Sequence, residues 1–246
     1  MNVKYSRGVF LPFEIGSFTG SLYMPLGLDP SAPRVTAVYC LGSEERELRE
    51  IVSLWKKPEF KPERPVALLA IHPLKWEDDF SPLKAPALRQ GEPPFGDGAE
   101  KHLKAIRDQL IPAMEKTYNL IPDRSERILV GYSLAGLCAL CGPIFVPDAF
   151  SRFGGVSPSL WLDGFRAFFE GSLPPDGVDR LYLSLGKKEP AAKNERMARV
   201  GIEFTEISGF LSSRVAEGRF LSEWNDGNHF FEPARRIAKA IAFLSA

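Results

Sequence analysis

The sequence is poor in cysteine, in net charge and in long hydrophobic runs, and each scarcity excludes a class of protein. Three cysteines among 246 residues are too few, and odd in number, for a disulfide framework. The 31 basic and 31 acidic side chains cancel to a net charge of zero, which argues against nucleic acid as a partner. No apolar run reaches the roughly 18 residues of a transmembrane helix, so we expect no membrane span.

The beginning of the chain also lacks the apolar core, about 7–15 residues long, of a secretory signal peptide. We therefore expect a cytoplasmic protein with neither a nucleic acid nor a membrane as partner. Its length and its 44% content of hydrophobic residues fit one globular domain spanning residues 1–246. The sequence leaves the oligomeric state open, a homodimer included.

Short apolar runs alternate with amphipathic segments along most of the chain. Two aromatic-rich runs around Gly16, within 10–24, predict a β-hairpin. Alternating strands and helices predict an α/β domain with a mainly parallel sheet and helices on both faces. The predicted strands are 34–42, 65–73, 127–132, 152–159, 178–186 and 218–224, and the predicted helices are 43–55, 99–118, 134–142, 191–216 and 232–245.

The segment 74–98 is rich in proline and glycine and is too long for a simple connection. We therefore expect it to form a shaped loop near a functional site, with Gly91–Gly98 as a flap that faces the substrate.

The motif GYSLA (131–135) follows an apolar strand and precedes an apolar helix. This is the form of a nucleophile elbow, which holds a serine on a sharp turn between strand and helix. The neighbours two before and two after the serine must be small, and Gly131 and Ala135 satisfy this requirement. The turn would also let the Leu134 amide donate to a developing oxyanion. The motif predicts Ser133 as a nucleophile, the alternative being a chance match in an ordinary turn.

A serine hydroxyl needs a base to remove its proton, and the chain has three histidines. We expect His102 at the surface of the 99–118 helix, and His72 ends a strand. His229 lies in a turn-rich loop between the last strand and the last helix, where the base of an α/β-hydrolase arrives in chain order. His229 is therefore the predicted base, the alternative being a structural histidine.

A carboxylate should orient the imidazole of this base. Glu189 follows the 178–186 strand, whereas Asp226 is only three residues from His229 and would have to fold back under the ring. This favours Glu189 and leaves Asp226 as the alternative.

Other motifs carry less weight. Cys138 and Cys141 form a C-x-x-C pair inside an apolar helix, without partners at zinc spacing, and are expected to be core thiols. Asp78 and Asp79 are expected in a solvated loop. No motif implies a metal or a cofactor.

The motifs, taken together in chain order, resemble the putative esterase family of the α/β-hydrolase superfamily, which includes siderophore trilactone esterases, feruloyl esterases and esterase D. The matching segments are HPLKWEDDFSPLKAP (72–86), GYSLAG (131–136), GGVSPSLWLDGF (154–165), LYLSLGKKE (181–189) and WNDGNHFFEPARRIAKAIAFL (224–244).

This resemblance implies an α/β-hydrolase fold and a serine hydrolase that cleaves a small-molecule carboxylic ester through an acyl-enzyme. It maps the nucleophile onto Ser133, the base onto His229 and the acid, by position, onto Glu189. A second oxyanion donor is expected from the backbone of Leu74. An acyltransferase using the same acyl-enzyme and a catalytically silent binding module remain alternatives.

Three aromatic side chains lie beside these segments. Trp76 and Trp161 are expected to wall an acyl or aryl pocket, because binding sites are mostly apolar with a few polar anchors. Tyr132, next to the nucleophile, is also expected to contact substrate.

Overall fold

Eight strands form the central sheet of the computed structural model, which describes residues 8–26, 35–174 and 176–246. They are β1 (Gly8–Ile15), β2 (Phe18–Pro25), β3 (Thr36–Leu41), β4 (Val66–Ile71), β5 (Arg127–Tyr132), β6 (Arg152–Val156), β7 (Arg180–Gly186) and β8 (Phe220–Asn225). Their order across the sheet is β1-β2-β4-β3-β5-β6-β7-β8. Only the pairs β1–β2 and β2–β4 are antiparallel among these strands, so the predicted hairpin and the mainly parallel sheet are confirmed. Residue 34, the first of a predicted strand, lies outside the described residues.

Helices cover both faces of the sheet, as the sequence predicts. They are α1 (Glu45–Leu54), α2 (Trp76–Asp79), α3 (Ala99–Ala105), α4 (Ile111–Tyr118), α5 (Leu134–Leu140), α6 (Gly142–Phe145), α7 (Phe165–Ser172), α8 (Glu195–Ala198), α9 (Val200–Arg214) and α10 (Pro233–Leu244). The apolar sides of α1 and α10 share one core with the sheet, while α3, α4, α5, α7 and α9 share the other. No helix in the described part of the chain is both long and apolar enough to cross a membrane.

The predicted 99–118 helix is continuous but not regular. A π-helical turn, Ile106–Leu110, joins α3 to α4. Pro112 lies in the first turn of α4, where its missing N–H and its ring are better tolerated than in a regular helix interior.

The parallel strands all end at the same edge of the sheet. Leu41 lies beside both Ile71 and Gly131 in the register, so the loops after β3, β4 and β5 emerge together. The loops after β6, β7 and β8 follow along the same edge. In open parallel sheets this edge is where ligands bind.

Candidate active site

Ser133 is the single residue between the end of β5 and the start of α5. Its backbone has φ 60° and ψ −127°, a left-handed conformation that side chains rarely adopt. A Cβ placed on Gly131 would lie 2.2 Å from the carbonyl oxygen of Ala135, so only glycine fits there. The crowding that the sequence predicts around the serine is therefore present.

Three side chains from three loops form one hydrogen-bonded chain at this edge. The Oγ of Ser133 lies 3.0 Å from Nε2 of His229, and Nδ1 of His229 lies 2.8 Å from Oε2 of Glu189. His229 comes from the loop between β8 and α10, and Glu189 begins a short 3-10 helix after β7. The structure thus brings together the three residues singled out from the sequence, although they are up to 96 positions apart.

Asp226, the alternative acid, faces away from this chain. Its carboxylate pairs with Nζ of Lys187 at 2.7 Å, and its side chain is 81% exposed. The hydrogen bond and charge of Lys187 hold the pKa of Asp226 below its ordinary value. Asp226 is therefore part of a surface ion pair, and the carboxylate that contacts the imidazole is that of Glu189.

Arg236 lies beneath the carboxylate of Glu189 and is only 2% exposed. Its Nη1 donates to Oε1 of Glu189 at 3.0 Å and to Oγ of Ser157 at 2.7 Å. Its Nη2 donates to the carbonyl oxygens of Asp226 at 2.7 Å and Asn228 at 2.9 Å. One guanidinium thus ties the acid to the loop that carries the imidazole.

Arg236 is not among the residues singled out from the sequence, although the sequence carries a signal for it. It adjoins Ile237 and lies four positions before Ala240, on the apolar stripe of α10. A basic residue on a buried helix face needs a partner, because an unpaired buried charge is strongly unfavourable.

Several groups stabilise the ionised form of Glu189. Burial by itself would raise the pKa of its carboxyl group. The hydrogen bond and charge of His229 and the Gly186 amide, which donates to Oε1 at 2.7 Å, outweigh burial and leave the pKa lowered. Glu189 is thus a carboxylate that can accept the Nδ1–H of the imidazole.

The expected oxyanion donors have different outcomes. Leu134 is the first residue of α5, where a helix leaves its amides without intrahelical partners. The Leu74 amide instead donates to Oδ2 of Asp79 at 2.7 Å, and the Lys75 amide donates to the same oxygen at 3.0 Å. The expectation that the Leu74 amide donates to the oxyanion is therefore wrong in this structure. Asp79 is not a solvated charge, because its carboxylate accepts hydrogen bonds from these two loop amides.

Two cavities are lined by loops at this edge of the sheet, each with one of the expected tryptophans in its wall. The Trp76 cavity has a volume of about 920 Å³ and is lined by Leu74, Lys75, Trp76, Pro86, Pro94 and Phe95. The His229 cavity has a volume of about 390 Å³ and is lined by Trp161, Ala192, Met197, Val200, His229 and Phe230. The 74–98 loop supplies the wall of the first cavity.

Tyr132 contacts the base, and neither of these cavities includes it. Its hydroxyl donates to the backbone carbonyl of His229, and the centroids of the two rings are 5.2 Å apart. Tyr132 therefore supports the backbone of His229 in this structure, and the substrate contact expected from the sequence stays a prediction.

Two other expectations concern residues outside the site. His102 is half-buried rather than fully at the surface, because its ring packs between Phe18 and Phe80, and this burial lowers its pKa. Cys138 and Cys141 are fully buried, as expected of core thiols, and burial raises the pKa of both.

Comparisons with known proteins identify the family. The family model described as "Putative esterase" matches residues 54–219. The uncharacterized protein YbbA of Bacillus subtilis strain 168 is 25% identical over 189 residues, which cover 76% of this chain and 75% of that protein. The iron(III) salmochelin esterase of Escherichia coli O6:H1 is 30% identical over 129 residues, which cover 43% of this chain and 31% of that esterase.

Solved structures agree with the fold. An IroE-like serine hydrolase from Shewanella oneidensis superposes with a TM-score of 0.78 at 18% identity, covering 96% of this chain and 79% of that one. The siderophore hydrolase EstA from Aspergillus nidulans gives a TM-score of 0.71 at 18% identity, covering 97% and 94%. Both likenesses concern the α/β-hydrolase fold. Because the family model covers well over half of the sequence, the chain belongs to the Putative esterase family, and its enzyme class is that of a carboxylic ester hydrolase.

Proposed function

We propose that the protein is a serine esterase that works through an acyl-enzyme, with Ser133 as nucleophile, His229 as base and Glu189 as the acid. The observation that carries this proposal is the hydrogen-bonded chain from Ser133 Oγ through the imidazole to Glu189. A hydroxyl is a weak nucleophile until a base within hydrogen-bonding distance takes its proton.

The reaction has two halves. Ser133 Oγ attacks the ester carbonyl while its proton passes to His229 Nε2. The carbon–oxygen bond to the alcohol then breaks, and His229 returns the proton to the departing oxygen. In the second half, water attacks the acyl-enzyme, and His229 again takes and returns a proton. Glu189 holds the ring in the productive tautomer and stabilises the imidazolium.

Two backbone amides are proposed to bind the oxyanion. One is the amide of Leu134. The second, in place of Leu74, is the amide of Ser43 in the loop between β3 and α1, from which α/β-hydrolases supply this donor. Leu41 of β3 pairs with Gly131 of β5 in the sheet register. Ser43 lies two residues after Leu41, and Ser133 lies two residues after Gly131. Ser43 is also buried, which keeps competing water away from its amide.

The substrate is proposed to be a small-molecule ester. By their names, the salmochelin esterase and the fungal hydrolase act on siderophores, so a screen should include siderophore lactones with short acyl esters, aryl esters and thioesters. We also keep the cytoplasm as the proposed compartment, which is compatible with the three free cysteines and can be checked by cell fractionation.

The test is covalent labelling combined with turnover of an activated ester. The wild type should react with a fluorophosphonate and show a burst of alcohol release. Ser133→Ala should abolish labelling and lower turnover by about 10³–10⁶-fold. Ser212→Ala, on the exposed side of α9, is the matched control and should label normally. A wild-type protein that folds but neither labels nor hydrolyses any ester of the screen would overturn the proposal in favour of a silent binding module.

A further inference from the structure

The two cavities lie on opposite sides of the nucleophile. Ser133 follows β5, in the middle of the sheet edge. Trp76 lies in the loop after β4, on one side, and His229 lies in the loop after β8, on the other. The rings of Phe95 and Trp161 meet between the cavities, with centroids 5.7 Å apart. An ester held at Ser133 therefore has one cavity available for each of its two halves.

Proton transfer from His229 determines which half of the ester lies in which cavity. His229 must deliver a proton to the oxygen of the departing alcohol, which requires that this oxygen come within about 2.6–3.2 Å of Nε2. His229 itself lines the smaller cavity. We propose that the His229 cavity binds the alcohol half of the ester and that the acyl half lies on the side of the Trp76 cavity. This inference rests on the proposed esterase function and adds a substrate class to it.

The walls of the His229 cavity define that class. Trp161, Met197, Val200 and Phe230 contribute apolar surface. Glu189, the acidic group in its lining, is already engaged by His229 and Arg236. The side-chain oxygen of Asn228 accepts from the Phe230 amide at 3.1 Å, and the ammonium of Lys188 belongs to an exposed residue. The volume of about 390 Å³ corresponds to about a dozen water molecules at roughly 30 Å³ each. The cavity therefore suits an apolar alcohol of moderate size, such as benzyl alcohol or a branched alkyl alcohol.

The same cavity should also receive acceptor alcohols. Deacylation is the reverse of the first half-reaction, with water in the place that the alcohol has left. An added alcohol that fits the cavity can attack the acyl carbon there. His229 takes its proton and passes it to Ser133 Oγ as the bond to the enzyme breaks, so that a new ester leaves. The ratio of the new ester to the free carboxylic acid among the products should then measure how well the added alcohol fits the cavity.

The main experiment compares two ester series on the full chain. One series fixes the acyl group as acetate and varies the alcohol from methyl through butyl to benzyl. The other fixes methanol and varies the acyl group. Ala192→Phe narrows the His229 cavity, and Pro94→Phe, at an exposed residue, narrows the Trp76 cavity. Thermal melts establish that both variants fold.

In the wild type, we expect kcat/KM to rise about threefold to tenfold per methylene of the alcohol until the cavity is full. In the alcohol series, Ala192→Phe should lower the ratio of kcat/KM for the benzyl ester to kcat/KM for the methyl ester at least tenfold. In the acyl series, the ratios of kcat/KM should not change. Pro94→Phe should alter the acyl series only. The assignment is overturned if Ala192→Phe changes the acyl series instead, or if alcohol size has no effect.

A second measurement needs no variant. The wild-type acyl-enzyme formed from an activated acetate should partition to benzyl alcohol at least tenfold more than to methanol at equal concentration. Equal partitioning would contradict the inference even if Ala192→Phe failed to fold. Failure of the proposed function is distinguishable, because a protein without esterase activity gives neither an acyl-enzyme nor any product in either series.

Discussion

Arg236 and Glu189 form a buried ion pair under the proposed base, with Nη1 of the arginine 3.0 Å from Oε1 of the glutamate. The other carboxylate oxygen of Glu189 accepts from His229. The side chains of this pair are 2% and 5% exposed, so solvent screens the pair very little. Arg236 is thus in a position to fix both the charge and the orientation of the acid.

We predict that Arg236→Met lowers the free energy of unfolding by about 3–5 kcal/mol, because it leaves the Glu189 charge buried without its cation. The milder Arg236→Lys keeps a charge but cannot make the same set of contacts, and it should lower kcat more than it raises KM. Without the guanidinium, the pKa of Glu189 rises, so the carboxylate is lost at a higher pH. The acid limb of the kcat/KM profile should therefore move to higher pH in Arg236→Met. An unmoved limb in a folded variant would make Arg236 a structural residue only.

The choice between the two candidate acids can be tested by a matched pair of amides. Glu189→Gln removes the acceptor of the His229 Nδ1–H and should lower kcat by about 10²–10⁴-fold, since an amide favours the wrong tautomer. Asp226→Asn breaks only an exposed ion pair with Lys187 and should leave kcat within about twofold. Steady-state kinetics with an activated ester measure both variants. The opposite order would assign the acid role to Asp226.

The features that the sequence predicts are those that depend on local rules. The elbow at Ser133 is recognisable because the steric demand falls on residues two positions away, and the position of His229 follows from the order of strands and helices. Glu189 is favoured over Asp226 because a loop after a strand can reach the imidazole more easily than a near neighbour can fold back.

The features that the sequence does not predict depend on contacts that residue spacing does not reveal, some within one loop and some between distant segments. The amide of Leu74 is engaged because Asp79 turns back onto its own loop, and nothing in the spacing shows this. His102, in α3, is partly buried by Phe18, a residue of β2. The sequence does not predict helix α7, because this helix is short, follows a glycine at position 164 and has another glycine near its end, at position 171.

The conformation of the elbow leads to a prediction about stability. Gly131→Ala places a methyl group against the backbone of Ala135, which cannot move without shifting α5. We expect a loss of about 1–3 kcal/mol in the free energy of unfolding, with a larger fractional loss of activity, because Ser133 moves with the turn. Gly209→Ala, inside α9 with open space around the added Cβ, is the control. It should stabilise the protein by about 0.5–1 kcal/mol. Urea unfolding curves give both values, and equal effects at the two positions would contradict the steric argument.

His102 makes the free energy of unfolding depend on pH near neutrality. Burial lowers its pKa in the folded protein, an effect that the charge of Asp79 partly opposes. In the unfolded chain the imidazole titrates near its ordinary value of about 6.5. Between pH 7.5 and pH 5.5 the unfolded state therefore binds more protons than the folded state, and stability falls as pH falls.

His102→Phe keeps a ring between Phe18 and Phe80 but removes the titrating group. We expect its free energy of unfolding to change less between pH 7.5 and pH 5.5 than that of the wild type, as measured by urea denaturation at both values. The imidazoles of His72 and His229 are present in both proteins, so their contributions cancel in the comparison. An equal loss of stability in the two proteins would mean that His102 takes up its proton as readily in the folded chain as in the unfolded one, and that its packing between two aromatic rings does not exclude the charged form.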